Sequence, residues 1–122
     1  MRALVIDDSR AMRAILRAVL TDLGYDVVEA ANGKEALDRL ADHPDIRLAM
    51  VDWNMPEMNG FEFVQRVRRD HGYDRLRLIM CTTETEVSQI ARALQAGANE
   101  YVMKPFTKDV IREKLSLLGM AA

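Results

Sequence analysis

The amino-acid sequence predicts an α/β protein in which one doubly wound sheet of five parallel strands is wrapped by five helices, with residues 1–122 forming a single domain. Three observations carry that prediction. Short apolar runs alternate with amphipathic stretches five times, which is the rhythm of repeated βα units. Most of the runs are continuously apolar, as strands covered on both faces must be. The chain is also long and apolar enough, at 122 residues and 49% hydrophobic, to bury one core of its own.

The elements follow in order. Residues 3–6 form the first apolar run and the first strand. Met12, Ile15, Leu16, Val19, Leu20 and Leu23 then recur at helical spacing and predict a first helix with one apolar stripe, which Gly24 ends. Residues 25–30 form a second strand whose apolar and polar positions alternate more, the pattern of a sheet edge. Residues 48–51, 76–81 and 100–103 supply strands three to five. Each intervening helix announces its start by a short polar acceptor with a carboxylate three residues on: Asn32 with Glu35, Asn59 with Glu62, and Thr83 with Glu86. Thr107 is placed to cap the last helix. Val87, Ile90, Ala91 and Leu94 predict the buried face of the fourth helix, and Val110, Ile111, Leu115 and Leu118 that of the fifth. Right-handed crossovers leave few orders for such a sheet, and the common order 2-1-3-4-5 is adopted here.

Composition narrows the partners. Seventeen Lys and Arg against nineteen Asp and Glu leave a net charge of −2, so neither nucleic acid nor a membrane is an expected partner. A monomer that works through specific protein contacts fits better. The single cysteine, Cys81, ends an apolar run as a small buried hydrophobe would, and with no partner for a disulfide it points to a reducing, cytoplasmic setting. Asp7 and Asp8 interrupt the N-terminal apolar run before a signal peptide could develop, and no segment has the length of a membrane span.

The polar residues test the strand order. Asp7 and Asp8 follow strand 1, Asp52 follows strand 3, Thr82 follows strand 4 and Lys104 follows strand 5, while strand 2 contributes nothing comparable. In the order 2-1-3-4-5 these four strand ends converge on the crevice where the winding reverses. Three carboxylates gathered there repel one another unless a cation intervenes, and an all-oxygen donor set without clustered His or Cys favours Mg²⁺ over zinc. Lys104 and Thr82 then supply a charge and a hydroxyl for the oxygens of a transferred phosphoryl group, and the central Asp52 is the natural nucleophile. Alone, Asp7-Asp8-Ser9 would be a helix cap, Asp52 a solvated loop acid and Lys104 a surface lysine; their joint placement argues otherwise.

The motifs Val5-Ile6-Asp7-Asp8-Ser9, Val51-Asp52-Trp53-Asn54-Met55-Pro56 with Asn59-Gly60, Thr82-Thr83-Glu84, Gln95-Ala96-Gly97-Ala98 and Tyr101-Val102-Met103-Lys104-Pro105-Phe106 together resemble the receiver domains of two-component response regulators, a flavodoxin-like family. The resemblance runs from Arg2 to about Gly119. It implies that Asp52 takes a phosphoryl group from a sensor histidine kinase or a small acyl phosphate. It also implies that Mg²⁺ is bound by Asp8, Asp52 and the main-chain carbonyl of Asn54, with Asp7 acting through water. Thr82 and Tyr101 would switch conformation and reshape the face formed by helix 4, strand 5 and helix 5, where an output protein binds. Asn54 and Glu84 would tune the lifetime of the acyl phosphate, and Lys104-Pro105 matches the family's cis peptide. Tyr101, Glu113-Lys114-Leu115 and the segment around Asp52 look most like the stand-alone chemotaxis regulators, which bind the flagellar motor switch.

Such a protein catalyses only its own phosphorylation and dephosphorylation. A phosphorelay carrier or phosphate sink is the competing role. An aspartyl-phosphate phosphohydrolase fits less well, because Asn54 stands where that chemistry wants a second Asp, and a cofactor binder lacks a phosphate-cradling loop after strand 1. Trp53 is expected to cover the rim of the site, the eight methionines to fill the core, and residues 66–70 to form a solvated helix face and its end; His43 and His71 need no catalytic role.

Overall fold

A computed structural model describes residues 1–83 and 88–120. Among these, β1 (Arg2–Ile6), β2 (Asp26–Ala30), β3 (Ile46–Asp52), β4 (Arg77–Thr82) and β5 (Glu100–Met103) alternate with α1 (Arg10–Asp22), α2 (Gly33–Asp42), α3 (Gly60–Arg68), α4 (Ile90–Ala96) and α5 (Lys108–Leu117). All pairings are parallel and the order is β2-β1-β3-β4-β5, the order adopted from the crossover rule.

Side chains alternate across the pleat and divide the core in two. Leu4, Ile6, Ala49, Val51, Leu78 and Met80 face α2, α3 and α4, where Leu40, Phe63, Val64, Val67 and Ala93 meet them. Ala3, Val5, Leu48, Met50, Ile79 and Cys81 face the other way onto Leu16 and Leu20 of α1 and Ile111 and Leu115 of α5. Cys81 is fully buried, which pushes its thiol up to about 12 and keeps it a packing group.

The helix starts are where the polar acceptors put them. Ser9 Oγ accepts from Met12 N at 3.2 Å and Thr107 Oγ1 from Val110 N at 3.2 Å. Asn59 and Glu62 form a reciprocal capping box. Asn32 accepts from Glu35 N at 2.8 Å, whereas Glu35 reaches back to Ala31 N rather than to the cap residue. The Thr83–Glu86 cap extends to residues outside those described, as does Val87; within the described residues α4 begins after Gln89, which makes no side-chain cap bond.

Four expectations are corrected. Ile15 is exposed, because α1 lies on the sheet through a narrower face than its six-residue stripe suggests: Leu16 and Leu20 are buried, Met12, Val19 and Leu23 half-buried. On α4 the buried positions are Ile90 and Ala93, while Ala91 and Leu94 face outward, one step round the helix from the alanine that lets it approach the sheet. Val110 of α5 is likewise exposed beside buried Ile111. Arg68 is no solvated charge: its guanidinium donates to the carbonyls of Gly97, Tyr73 and Leu76 and to Asn99 Oδ1 at 2.6–2.9 Å.

Candidate metal centre

The site is assembled from the carboxyl ends of β1, β3, β4 and β5. Asp7 continues β1 by one residue, its N donating to Ala30 O at 3.1 Å, so the ladder itself fixes where this acid stands. It is 1% exposed; Oδ1 accepts from Ser9 N at 2.8 Å and its carbonyl from Arg13 Nη1 at 2.6 Å. Asp8, one residue on, faces solvent. Asp52 is the last residue of β3, paired with Cys81, and is 6% exposed. Behind it Gly60 opens α3 so closely that a Cβ there would stand 2.4 Å from the Asp52 carbonyl oxygen, so only glycine lets this helix abut the strand. Thr82 ends β4 fully buried, and its Oγ1 has no hydrogen-bond partner among the described residues. Lys104 follows β5 with its N on Thr82 O at 2.6 Å, and the Lys104-Pro105 peptide is cis.

These groups meet. One carboxylate oxygen from each of Asp7, Asp8 and Asp52 lies within 4.8 Å of the others. Lys104 Nζ donates to Asp52 Oδ1 at 2.9 Å and to Asp7 Oδ2 at 3.3 Å. Burial raises the Asp52 carboxyl to about 6, with the charges of Asp7 and Asp8 adding and the Lys104 bond opposing. Burial pulls the Lys104 ammonium down, but the bond to Asp52 and the charges of both acids outweigh it and leave it above its ordinary value. Three carboxylates against one ammonium leave two uncompensated negative charges, a balance that a divalent cation restores. The donors are hard oxygens without His or Cys, the chemistry of Mg²⁺ or Ca²⁺ rather than zinc. Beside such an ion the arrangement offers a buried carboxylate, an ammonium and a buried hydroxyl, the groups that stabilise charge developing on phosphoryl oxygens. The residues therefore fit the cation that the strand ends suggested.

The remaining predicted residues are more dispersed. Asn54 is in the exposed loop after Trp53, and Glu84 lies outside the described residues. Tyr101 is half-buried on β5 beneath Lys114 Nζ, 4.8 Å from its ring centre. Trp53 is not at the rim: it is 6% exposed and packs against Phe61 with ring centres 6.1 Å apart, because the chain turns inward after Asp52 to let Gly60 N bond Trp53 O at 2.9 Å. Sequence reasoning did not single out Arg13, whose bond to the main-chain carbonyl of Asp7 no side-chain pattern reveals. Gly60 was visible only as half of the Asn59-Gly60 motif.

Comparison with known proteins gives the family and the fold. The family model described as response regulator receiver domain matches residues 3–116. The chain is 48% identical to a chemotaxis protein CheY homolog of Campylobacter jejuni over 94% of its length and 89% of the relative, and 45% identical to chemotaxis protein CheY1 of Helicobacter pylori over 97% and 96%. Among solved structures, the chemotaxis protein CheY4 of Vibrio cholerae superposes with a TM-score of 0.87 at 34% identity, covering 95% of this chain and 96% of that one. Among the described residues no helix is long and apolar enough to cross a membrane.

Proposed function

The chain belongs to the response regulator receiver family, with chemotaxis CheY proteins among its relatives, and on that premise we propose that it is a phosphorylation switch acting on Asp52. The observation that carries the reading is the meeting of three carboxylates within 4.8 Å of one another with Lys104 Nζ 2.9 Å from Asp52. In the reaction, an Asp52 oxygen attacks the phosphorus of a phosphohistidine on a sensor histidine kinase, the P–N bond breaks and the imidazole leaves with its electron pair. Asp8 and Asp52, with the main-chain carbonyl of Asn54, would hold Mg²⁺, and Asp7 would act through water. That ion, when bound, supplies the positive charge that offsets the acids and polarises the phosphoryl oxygens. Lys104 exchanges its bond to Asp52 for one to the phosphoryl group, and the buried Thr82 hydroxyl gains a partner that it lacks among the described residues. Asn54 and Glu84 tune how long the acyl phosphate survives.

A phosphoryl group shifts a conformational equilibrium only by interacting differently with two states. Here the differential contacts are those of Thr82 and Lys104, and Tyr101 passes the change to the face of α4, β5 and α5. That face presents Leu94, Met103 and Val110 to solvent, apolar groups suited to an output protein. The names of the relatives favour a chemotaxis role, and the resemblance to stand-alone chemotaxis regulators makes the flagellar motor switch the partner to test. We read residues 1–122 as one receiver domain, monomeric and cytoplasmic, whose chemistry is confined to gaining and losing its own phosphoryl group.

Incubation with acetyl phosphate and Mg²⁺ tests the acceptor: the wild type gains one phosphoryl mass and Asp52→Asn gains none. Labelling that persists in the variant sinks the assignment. Pull-down of the beryllofluoride-loaded protein against motor-switch and phosphotransfer components then separates a chemotaxis output from a carrier or sink.

A further inference from the structure

The acid pair after β1 stands on a support outside the site. Arg13, in the first turn of α1, donates from Nη1 to the main-chain carbonyl of Asp7 at 2.6 Å and from Nε to Glu29 Oε1 at 3.1 Å. The second Glu29 oxygen accepts from Arg17 Nε at 2.6 Å, and the Glu29 carbonyl from Arg39 Nε at 3.2 Å. Both partners are shielded, with side chains 16% and 31% exposed for Arg13 and Glu29. A guanidinium holds its donors in one rigid plane, so fixing Arg13 on Glu29 also fixes the carbonyl it grips. That carbonyl belongs to the residue whose Oδ1 orders Ser9 N and whose Oδ2 meets Lys104.

We propose that Arg13, anchored by Glu29 on the edge strand β2, is a positioning residue that holds the β1–α1 loop so that Asp7 and Asp8 face Asp52 in the geometry a divalent cation needs. The inference rests on reading those acids as the Mg²⁺ site. An isolated cation so near would repel a divalent guest, but Glu29 neutralises it: burial lifts the Glu29 carboxyl, and Arg17 and Arg13 outweigh that and hold it below its ordinary value. What remains of Arg13 at the site is geometric. It is the same logic by which outer-shell partners orient metal ligands. Strand β2, which contributes no residue to the strand-end cluster, thereby acts on it through Glu29.

Calorimetric titration of the full chain with MgCl₂ tests this with wild type, Arg13→Ala, Arg13→Lys, Glu29→Gln and the double variant Arg13→Ala/Glu29→Gln. Arg13→Ala weakens binding about tenfold. Arg13→Lys recovers part of the loss, since one ammonium cannot grip both acceptors in the same plane. Glu29→Gln loses less, and the double variant binds no more weakly than Arg13→Ala, since both act through one contact. In chelator, the Ser9 amide exchanges with solvent faster in Arg13→Ala than in wild type, a readout independent of metal and of phosphorylation. Equal affinity of Arg13→Ala and wild type overturns the inference alone. Tighter binding by Arg13→Ala also overturns it, by showing that charge outweighs position. If Arg13→Ala does not fold, unchanged affinity in Glu29→Gln overturns it and weakened affinity supports it. A wild type that binds no Mg²⁺ removes the metal reading and this inference together.

Discussion

At the scale of single residues, the buried Asp52 carboxyl makes stability depend on pH in a direction that can be worked out. Its pKa in the fold, raised to about 6 by burial, exceeds the ordinary value of 3.8, so ionising it costs folding free energy. That cost is present in full above about pH 6 and disappears as pH falls toward 4. Lys104 is raised too, but its contribution is complete below the ordinary ammonium range and is lost only in strong alkali, outside this window. In chelator at pH 7.5, Asp52→Asn should therefore be more stable than wild type by about 2 kcal/mol, and by much less at pH 4.5. Urea melts at the two pH values check it; a variant less stable at both would show that the Lys104 ion pair outweighs burial. Glu57 offers a second case. It holds φ at +67°, a conformation glycine adopts without penalty, so Glu57→Gly should stabilise by roughly 0.5–1 kcal/mol in the same assay. The acids, hydroxyl and ammonium were legible because each follows an apolar run. Glu57 was not, since its backbone angle is imposed by a loop that must bring Gly60 against Asp52.

At the scale of elements, helix starts were easier to read than helix faces. Ser9, Asn32, Asn59 and Thr107 act on amides three residues away, so the signal is local and the sequence contains it. A face depends on how wide a strip the sheet covers. Ile15 and Leu16 are equally apolar, yet only Leu16 is buried. Ile15→Ala should then change stability by less than about 0.5 kcal/mol while Leu16→Ala costs about 2–4 kcal/mol, read from chemical denaturation. Similar costs at both positions would mean that α1 sits rotated from the orientation described. The outward Leu94 belongs with this lesson: an apolar residue off the packed strip of its helix is available to a partner.

Across the whole molecule, the adopted strand order could be checked against the sequence because parallel strands end together, so residues distant in sequence but equivalent in position arrive at one place. Bonds from a side chain to a remote main-chain carbonyl leave no such trace. Arg68 is the clearest example, joining α3 to Tyr73, Leu76, Gly97 and Asn99 through one guanidinium. The gathered acids have a global consequence as well. A cation that binds only the folded chain stabilises it by RT ln(1 + [L]/Kd), about 2.7 kcal/mol at a hundredfold excess over Kd. Thermal melts in MgCl₂ against chelator should show this increment in the wild type and little of it in Asp8→Ala; equal increments in both would remove Asp8 from the binding set.

Trp53, the single tryptophan, is buried beside Asp52 and packs against Phe61, whose ring also carries the Arg92 guanidinium 4.6 Å from its centre. The chain thus carries its own optical gauge, wired to the interior. Its emission should be blue-shifted and resist iodide quenching, and any change when the neighbouring carboxylate is modified will report a shift of packing toward the fourth helix, not the arrival of solvent.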